Sequence, residues 1–448
     1  MSERDMKGLR LTVLGAGASG AAIARMAAGL GAEVFVSDAA EISAETAVSL
    51  KSAGIRYEQE GHTEKIFDCD KVAVGSGFPP NTPVLGEFAS RGINPVGELD
   101  FVLPFVKGRI IGVTGSNGKT TTASLLGHLL KAEGVNCRVA GNIGTPVADI
   151  AGTDSDYTVL ELSSFQLHWA ENVKFTGAIV TNLAPDHIDW HGSYENYVRA
   201  KAKLVRFVER GGFAAVQKRD AKMFENGGIS TRYLTWDSPH AEEDIFLSRE
   251  KASAVMAGKE LFRFDETHLL GTHNMENIAM AVAAVDMLGL GAAARGSLVS
   301  YEAPAHRCSL VLEKNGVRYI DDSKGTNIAA SVTAMSAIKG PHIVILGGRG
   351  KGENYGDLAE PLKKYAKYAY LIGEAAHEME KSLRAGGFAD CVIAGDMETA
   401  VKKAVSAARP GDSVLLSPAC TSWDAYRNYK ERGDHFASLA RKYAGEEP

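Results

Sequence analysis

Short apolar runs alternate with stretches whose apolar residues recur at helical spacing along almost the whole chain, a rhythm that predicts parallel sheets covered by helices. Near the start, "LRLTVL" predicts a strand and "GAGASG" a tight turn. An Ala-rich helix follows from Ala21, then "AEVFVSD" predicts a second strand with Asp38 near its end. "NPVGELDFVLPFVKGRI" reads as a connection into a second unit that opens with the strand "RIIGVTG". Between Gly211 and about Leu270, short β-type runs such as "RYLTW" and "ELFRF" replace the strand-helix rhythm and predict a small antiparallel addition. "GLGAAARGSLVSYEAPAHR" leads into a third unit, where "VRYID", "HIVILGG", "YAYLIG", "DCVIAG" and "DSVLLSP" predict strands separated by helices. The expected fold is α/β in three domains, with boundaries at 1–104, 105–303 and 304–448. The outer two are expected to be Rossmann-like and the central one mainly parallel, with the antiparallel addition.

Composition changes this picture little but narrows the partners. The 448 residues, 45% of them hydrophobic, suffice for several buried cores. A formal net charge of -6 without long basic runs leaves no electrostatic footprint for nucleic acid. The start, "MSERDMKGLRLTVLG", lacks a signal-peptide layout, and no apolar stretch is long enough to cross a bilayer, so a cytoplasmic chain without a membrane partner is expected. Five scattered cysteines without a C-x-x-C pair suggest neither a disulfide framework nor a zinc site; core packing is their expected role.

Candidate chemistry gathers at the predicted strand ends, where open α/β sheets bind ligands. In "GAGASG", Gly15 permits the tight turn, Gly17 lets the backbone approach a pyrophosphate and Gly20 allows close helix packing, while Asp38 can bond a ribose hydroxyl. The fingerprint alone leaves an NAD-type domain or a ligand-free turn open. "GVTGSNGKTT" ends in the Gly-Lys-Thr of a phosphate loop, but Val113 stands where the common spacing needs glycine. Gly115, Gly118, Lys119 and Thr120 nonetheless fall at a strand-to-helix junction, where free N–H groups favour phosphate, Lys119 can neutralise it and Thr120 can bind Mg²⁺. Glu161 ends the apolar strand "YTVLEL" and is a candidate second Mg²⁺ ligand; "APDHIDWH" places Asp186 and His187 at the same edge.

Beyond it, Tyr194, Tyr197, Val198, Lys201, Leu204, Val205 and Val208 form one helical stripe. Lys201 must therefore be paired, uncharged, chemically altered or snorkelling, with an ion pair to an acid such as Glu161 among the open choices. Lys203 lies elsewhere on the helix. In the third unit "YIDDSKGTN", "GGRGKG" and "SPACTSWDAYRNYKERGDHF" bring Asp322, Lys324, Thr326, Lys351 and Ser422 towards one opening suited to an anionic amino acid or phosphate.

Taken together, "GVTGSNGKTT", "LELSSFQL", "NLAPDHIDWHG", "YVRAKAK", "GTHNMEN", "APAHR", "DDSKGTN" and "LSPACTSWDAYRNYKERG" resemble the Mur ligases of peptidoglycan synthesis, over essentially the whole chain. The resemblance implies an ATP-dependent ligase acting through an acyl phosphate, with a T-G-x-x-G-K-T variant of the ATP loop in a central P-loop-type ATPase domain. It implies UDP-N-acetylmuramoyl-L-alanine and D-glutamate as substrates, and ATP and two Mg²⁺ ions as cofactors; a monomer is expected. Gly15, Ala16, Gly17, Ala18, Ser19, Asp38, Ser76, Gly77 and Asn142 would hold the UDP-sugar. Gly115, Ser116, Asn117, Gly118, Lys119, Thr120, Thr121, Asn274, Arg307 and Asp322 would hold ATP. Lys324, Thr326, Lys351, Ser422 and Tyr429 would receive the amino acid. Thr120, Glu161, His187 and Lys201 would serve the metal ions, Lys201 as a carbamate; Lys119, Glu161, His187 and Lys201 would serve the reaction. "GSGFPPN", Gly325, Trp423 and Tyr429 depart from the usual pattern, in the sugar-nucleotide and amino-acid pockets. A folylpolyglutamate-type ligase, which normally lacks such a first domain, an NAD-linked oxidoreductase and a non-catalytic nucleotide sensor are the rival readings.

Overall fold

The computed structural model describes every residue except 1–5, 143, 225–226, 237–243, 270, 292, 294, 339 and 446–448. The first five residues of the chain start, and parts of the expected antiparallel stretch and of the connection into the third unit, therefore lie outside the described residues. The chain forms two compact units, Met1–Thr267 with Glu276–Tyr301, and His268–Met275 with Glu302–Pro448.

The first unit holds two sheets. Strands β1 (Arg10–Leu14), β2 (Glu33–Ser37), β3 (Arg56–Glu58), β4 (Lys71–Val74) and β5 (Pro95–Gly97) are parallel in the order β3-β2-β1-β4-β5, the strand order of a Rossmann half. Two local expectations need correction here. The first helix begins at Ala18 rather than Ala21, and the segment read as a mere connection supplies edge strand β5. Pro95 fits only at an edge, because it has no N–H to give a further neighbour.

The second sheet contains β6 (Arg109–Thr114), β7 (Cys137–Gly141), β8 (Tyr157–Glu161), β9 (Phe175–Val180), β10 (Val208–Gln217), β11 (Ser230–Trp236), β12 (Ile245–Ser248), β13 (Ser253–Met256) and β14 (Lys259–Arg263). Its order is β14-β13-β12-β11-β10-β9-β6-β8-β7. Among the described residues only the β12-β13-β14 pairings of this sheet are antiparallel; "RYLTW", expected in the antiparallel addition, lies in β11 and runs parallel to both β10 and β12. The connection from Gln217 to Ser230, which includes the short Lys218–Met223 helical turn, is long enough for the crossover that a parallel neighbour requires. Val208, expected to end the helical stripe, instead opens β10 opposite Phe175, and the helix spans Tyr194–Arg206. One buried apolar cluster runs through both sheets, from Leu11 and Ile23 through Leu99 and Val147 to Leu160 and Leu204.

The second unit holds β15 (Ser309–Lys314), β16 (Val317–Asp321), β17 (His342–Gly347), β18 (Ala366–Ile372), β19 (Cys391–Gly395) and β20 (Ser413–Leu416), ordered β15-β16-β20-β17-β18-β19. All pairings are parallel except β15 with β16, an edge hairpin strand the sequence pattern did not announce. All five cysteines are free thiols and four are buried, in keeping with a packing role. Among the described residues no helix is long and apolar enough to cross a membrane.

Candidate active site

The phosphate loop lies between β6 and the Lys119–Ala132 helix. Gly115 and Gly118 both have positive φ, +143° and +82°, where a side chain is strained. The loop is held from several sides. Asn117 N donates to Asn182 Oδ1 at 2.9 Å, and Ser116 Oγ lies 2.7 Å from the Tyr197 hydroxyl and 2.8 Å from Ala184 O. Asn277, a residue the motif reading did not single out, sits so close that a Cβ on Gly118 would collide with its Oδ1. Lys119 folds over its own loop, its Nζ donating to Gly115 O at 2.9 Å and Ser116 O at 2.8 Å. Thr121, the third residue of the helix, is buried, and its carbonyl accepts from the Tyr301 hydroxyl.

Glu161 closes β8, opposite Val113 of β6 and Gly141 of β7, and is 1% exposed. Its Oε2 accepts from Thr120 Oγ1 at 2.7 Å, and its Oε1 from Asn142 Nδ2 at 3.1 Å. One carboxylate thus joins the phosphate loop to a residue expected on the UDP-sugar. His187 has a left-handed backbone, φ 53°, with its Nε2 3.7 Å from Asp186 Oδ2 and its ring edge-on to Phe165.

Lys201 is 1% exposed, as its stripe position requires. It does not pair with Glu161: its Nζ donates to Gly115 O at 2.8 Å and Thr114 Oγ1 at 3.3 Å, and it lies over the Tyr197 ring. Burial first, then the charge of Lys119, pushes its pKa well below the ordinary lysine value; Asp186 and Glu161 oppose the shift. The alternative of a snorkelling side chain is excluded. Lys203, by contrast, caps the carbonyls of His168 and Ala170.

At the carboxyl edge of the first sheet, Gly15 has φ +87°, and a Cβ on Gly20 would run into Gly15 O, whereas one on Gly17 would meet open space. Ser19 and Ser76 face each other with their hydroxyl oxygens 2.9 Å apart, next to Gly77. Asp38 has a structural task besides any ligand: its two oxygens accept from Ala16 N at 2.6 Å and Ala40 N at 2.9 Å, pinning the glycine-rich turn that runs through Ala16 to Ala18.

In the second unit Asp322 is buried just beyond β16, accepting from Ser417 Oγ at 2.7 Å and Cys308 N at 3.3 Å. Burial raises its pKa to about 7 against the opposing Ser417 hydrogen bond and the Arg307 charge. A Cβ on Gly325 would lie 2.5 Å from Asp322 Oδ2 and 3.1 Å from Ser417 Oγ, so glycine leaves this bond its room. Lys324 Nζ stands 4.0 Å above the Tyr429 ring.

Arg349 and Thr421 exchange backbone bonds at 3.0 Å, which brings the "GGRGKG" loop of Lys351 to the loop of buried Ser422. Sequence reasoning missed the residue that ties these loops together. Arg432, 1% exposed, donates to Ser323 O, Cys420 O and Thr421 O, at 2.8, 3.1 and 3.0 Å. Only its helical stripe, with Phe436 and Leu439 on the same face, could have marked it. Thr326 follows on the Lys324 loop just ahead of the Ile328–Ala337 helix. Asn274 lies near the start of the Thr272–Met287 helix, its N–H on Gly271 O.

A Rossmann-ordered sheet, a second parallel sheet with a lysine-bearing phosphate loop beside a buried strand-end carboxylate, and a third α/β sheet define a multidomain nucleotide-dependent enzyme. Residues 10–84 match the MurD N-terminal domain, 113–285 the Mur ligase middle domain and 306–420 the Mur ligase glutamate ligase domain. The chain belongs to the Mur ligase family. It is 35% identical over 450 residues to a UDP-N-acetylmuramoylalanine–D-glutamate ligase of Pelotomaculum thermopropionicum, covering 97% of this chain and 98% of the relative. It is 36% identical over 459 residues to the enzyme so named in Koribacter versatilis, covering 99% of each. Among solved structures it resembles the UDP-N-acetylmuramate-alanine ligase of Thermotoga maritima, with TM-score 0.60 and 18% identity over 97% of this chain and 99% of that one. It also resembles the MurF ligase of the same organism, solved in complex with ADP, with TM-score 0.59 and 16% identity over 98% and 97%.

Proposed function

We propose that this chain is the ATP-dependent ligase that joins D-glutamate to UDP-N-acetylmuramoyl-L-alanine in the cytoplasm, as a monomer organised in domains 1–104, 105–303 and 304–448. The observation that carries the reading is Glu161, bonded on one oxygen by Thr120 of the phosphate loop and on the other by Asn142. Such a carboxylate sits where a phosphoryl donor and a sugar-nucleotide acceptor would have to meet. Full-length relatives bearing that activity in their names support it.

In this reading the turn Gly15 to Ser19, with Asp38, Ser76, Gly77 and Asn142, holds the UDP-sugar. The residues from Gly115 to Thr121, with Asn274, Arg307 and Asp322, hold ATP. The alanine carboxylate takes the γ-phosphoryl of ATP, and ADP leaves. The glutamate amine then attacks the acyl carbon, the amide forms, and phosphate departs. Lys119 and the helix N–H groups neutralise the transferring phosphoryl, which asks for positioning and charge rather than covalent help. Lys324, Thr326, Lys351, Ser422 and Tyr429 receive the amino acid, the two lysines offsetting its two carboxylates.

The donor set suits Mg²⁺. Thr120 and Glu161 offer hard oxygens beside the phosphate loop, and no group of three or more His, Cys, Asp or Glu residues able to hold a metal ion is found among the described residues. A cation held by one or two protein oxygens and substrate phosphates is the usual Mg²⁺ arrangement, and the ion would neutralise phosphate charge when bound. Lys201 is poised to be a carbamate, since its buried amine favours the neutral form that reacts with CO₂, releasing one proton and leaving an anionic oxygen donor; His187 stands at the same edge.

The test is phosphate release with ATP, the UDP-muramoyl-alanine and a panel of amino acids. D-Glutamate is expected to be strongly preferred over L-glutamate and over basic amino acids. Faster turnover of lysine or diaminopimelate would overturn the substrate assignment, and no ATP-dependent release with any amino acid would overturn the reaction.

A further inference from the structure

Beside Asp38, at the carboxyl edge of the first sheet, a buried ring nitrogen lacks a partner. Ser37 ends β2, one residue before the acid expected on a ribose. Its hydroxyl has two neighbours, Glu58 Oε1 at 2.8 Å and His62 Nδ1 at 2.7 Å. Glu58 also accepts from Thr63, through Oε1 from its N–H at 2.9 Å and through Oε2 from its hydroxyl. Burial raises the Glu58 pKa, but the bonds from Thr63 and Ser37 outweigh it and hold the carboxyl below its ordinary value, so it serves only as an acceptor. The single hydroxyl proton of Ser37 therefore goes to Glu58, and His62 Nδ1 must donate to Ser37 Oγ. A neutral imidazole has one N–H, which leaves Nε2 as a bare acceptor. That atom is buried and has no hydrogen-bond partner among the described residues. A buried acceptor without a donor costs free energy, and the missing donor has to come from outside the chain.

The ring stands beside the path a nucleoside would take. The chain from Glu58 to Gly61 wraps the Asp38 turn: Asp38 N donates to Glu58 O, Glu60 N to Ala40 O and Gly61 N to Asp38 O, at 3.2, 3.2 and 3.3 Å. Across from it His62 faces Phe78, with ring centroids 6.3 Å apart. Phe78 follows Gly77 and lies against the glycine-rich turn, its Cδ2 3.6 Å from where a Cβ on Gly15 would stand. In a Rossmann half the diphosphate sits at the turn after the first strand and the ribose at the acid ending the second. The sheet runs β1, β2, β3 in that direction, so the next strand end, that of β3, is where the base arrives, and His62 follows it by four residues.

We propose that His62 is a specificity-determining residue whose Nε2 accepts the N3–H of a uracil base and turns cytosine away. This rests on the reading of the glycine-rich turn as the UDP site. Uracil carries a proton on N3, whereas cytosine presents a lone pair there, which would face the lone pair of Nε2. A site whose buried polar group needs a donor from the ligand discriminates against an analogue lacking it. The Glu58–Ser37 anchor on Nδ1 keeps the two ring nitrogens from exchanging roles.

The experiment titrates UDP and CDP separately, by calorimetry, into the full chain with saturating ADP filling the phosphate loop, for wild type, His62→Leu and His62→Gln. Wild type is expected to bind UDP about ten- to hundred-fold more tightly than CDP. His62→Leu keeps comparable bulk without a nitrogen; its UDP affinity should fall about ten-fold and the two nucleotides should bind within about three-fold of each other. His62→Gln offers an acceptor to uracil and a donor to cytosine, so UDP should stay within about three-fold of wild type while CDP gains about ten-fold. A ratio of two affinities does not move with a general loosening of the fold. Equal affinities in wild type, or a ratio that His62→Leu preserves while both nucleotides weaken, would overturn the assignment. If His62→Leu does not fold, His62→Gln decides, and an unchanged preference for UDP there overturns it. A wild-type chain that binds neither nucleotide overturns the sugar-nucleotide reading instead.

Discussion

Gly118→Ala tests the phosphate loop at its tightest point. Gly118 is the cap of the Lys119–Ala132 helix at φ +82°, a conformation that costs an alanine about 1–2 kcal/mol. The added methyl would also collide with Asn277 Oδ1 and stand 3.0 Å from its Cγ and Nδ2. Asn277 is 4% exposed and cannot swing into solvent, so this overpacking adds about 1–3 kcal/mol. The total of about 2–5 kcal/mol corresponds to a fall in melting temperature of about 3–8 °C for the compact unit that holds the loop. Thermal unfolding of the purified variant, followed by circular dichroism, measures it. The two causes separate in the double variant with Asn277→Ala, which removes the collision and leaves the backbone strain. Its loss relative to Asn277→Ala alone should shrink to about 1–2 kcal/mol. A Gly118→Ala protein melting within a degree of wild type would show that the loop does not have the described conformation. ATP affinity should fall with stability if, as proposed, the loop's backbone N–H groups receive the phosphates.

Lys201→Met keeps the stem volume and removes the buried amine; it should abolish ligase activity while leaving stability equal or raising it by up to about 4 kcal/mol, read by denaturant unfolding. Asp322 has a folded pKa raised to about 7, so between its unfolded value of about 4 and 7 the folded chain retains a proton that the unfolded chain has released, and stability falls as pH rises through that window. Asp322→Asn should therefore flatten the decline in melting temperature between pH 5 and pH 8, and an unchanged slope would refute the assignment. Arg432→Lys should destabilise by about 3–5 kcal/mol, because an ammonium cannot reproduce the fork that holds Ser323, Cys420 and Thr421. In steady-state assays its KM for the amino acid should rise more than its KM for ATP.

What the sequence made legible was local. The β1 turn, the phosphate loop, the strand end at Glu161 and the buried stripe of Lys201 each depend on residues within a few positions, so spacing and periodicity expose them. What stayed hidden depends on partners far along the chain. Whether β11 runs parallel to β10 is decided by the connection from Gln217 to Ser230, whose path no period encodes. Pro95 opens β5 only because an edge was vacant there. Ser37 and His62 are 25 residues apart, and each looks ordinary until the other is beside it. Asn277 shows the same limit, since its meaning comes from a glycine more than a hundred residues earlier.

Two buried basic residues show how differently the fold treats a hidden charge. Arg432 and Lys201 are equally hidden, each 1% exposed. Burial lowers the Arg432 pKa only to about 10, because Cys420, Asp424, Tyr426 and Asp321 oppose the shift and its guanidinium spends its donors on three carbonyls and a hydroxyl. It remains a cation at neutral pH, and its planar fork fixes two loops. Lys201 has one carbonyl, one hydroxyl and a ring face for company, with the charge of Lys119 adding to the burial penalty. An ammonium gains little there to offset its lost hydration, so the proton is held more weakly than on an ordinary lysine. An arginine at 201 could not yield it, and a lysine at 432 could not span its carbonyls. The two positions thus differ in what burial does to the charge: the Arg432 site supports it with carbonyl acceptors, and the Lys201 site weakens it.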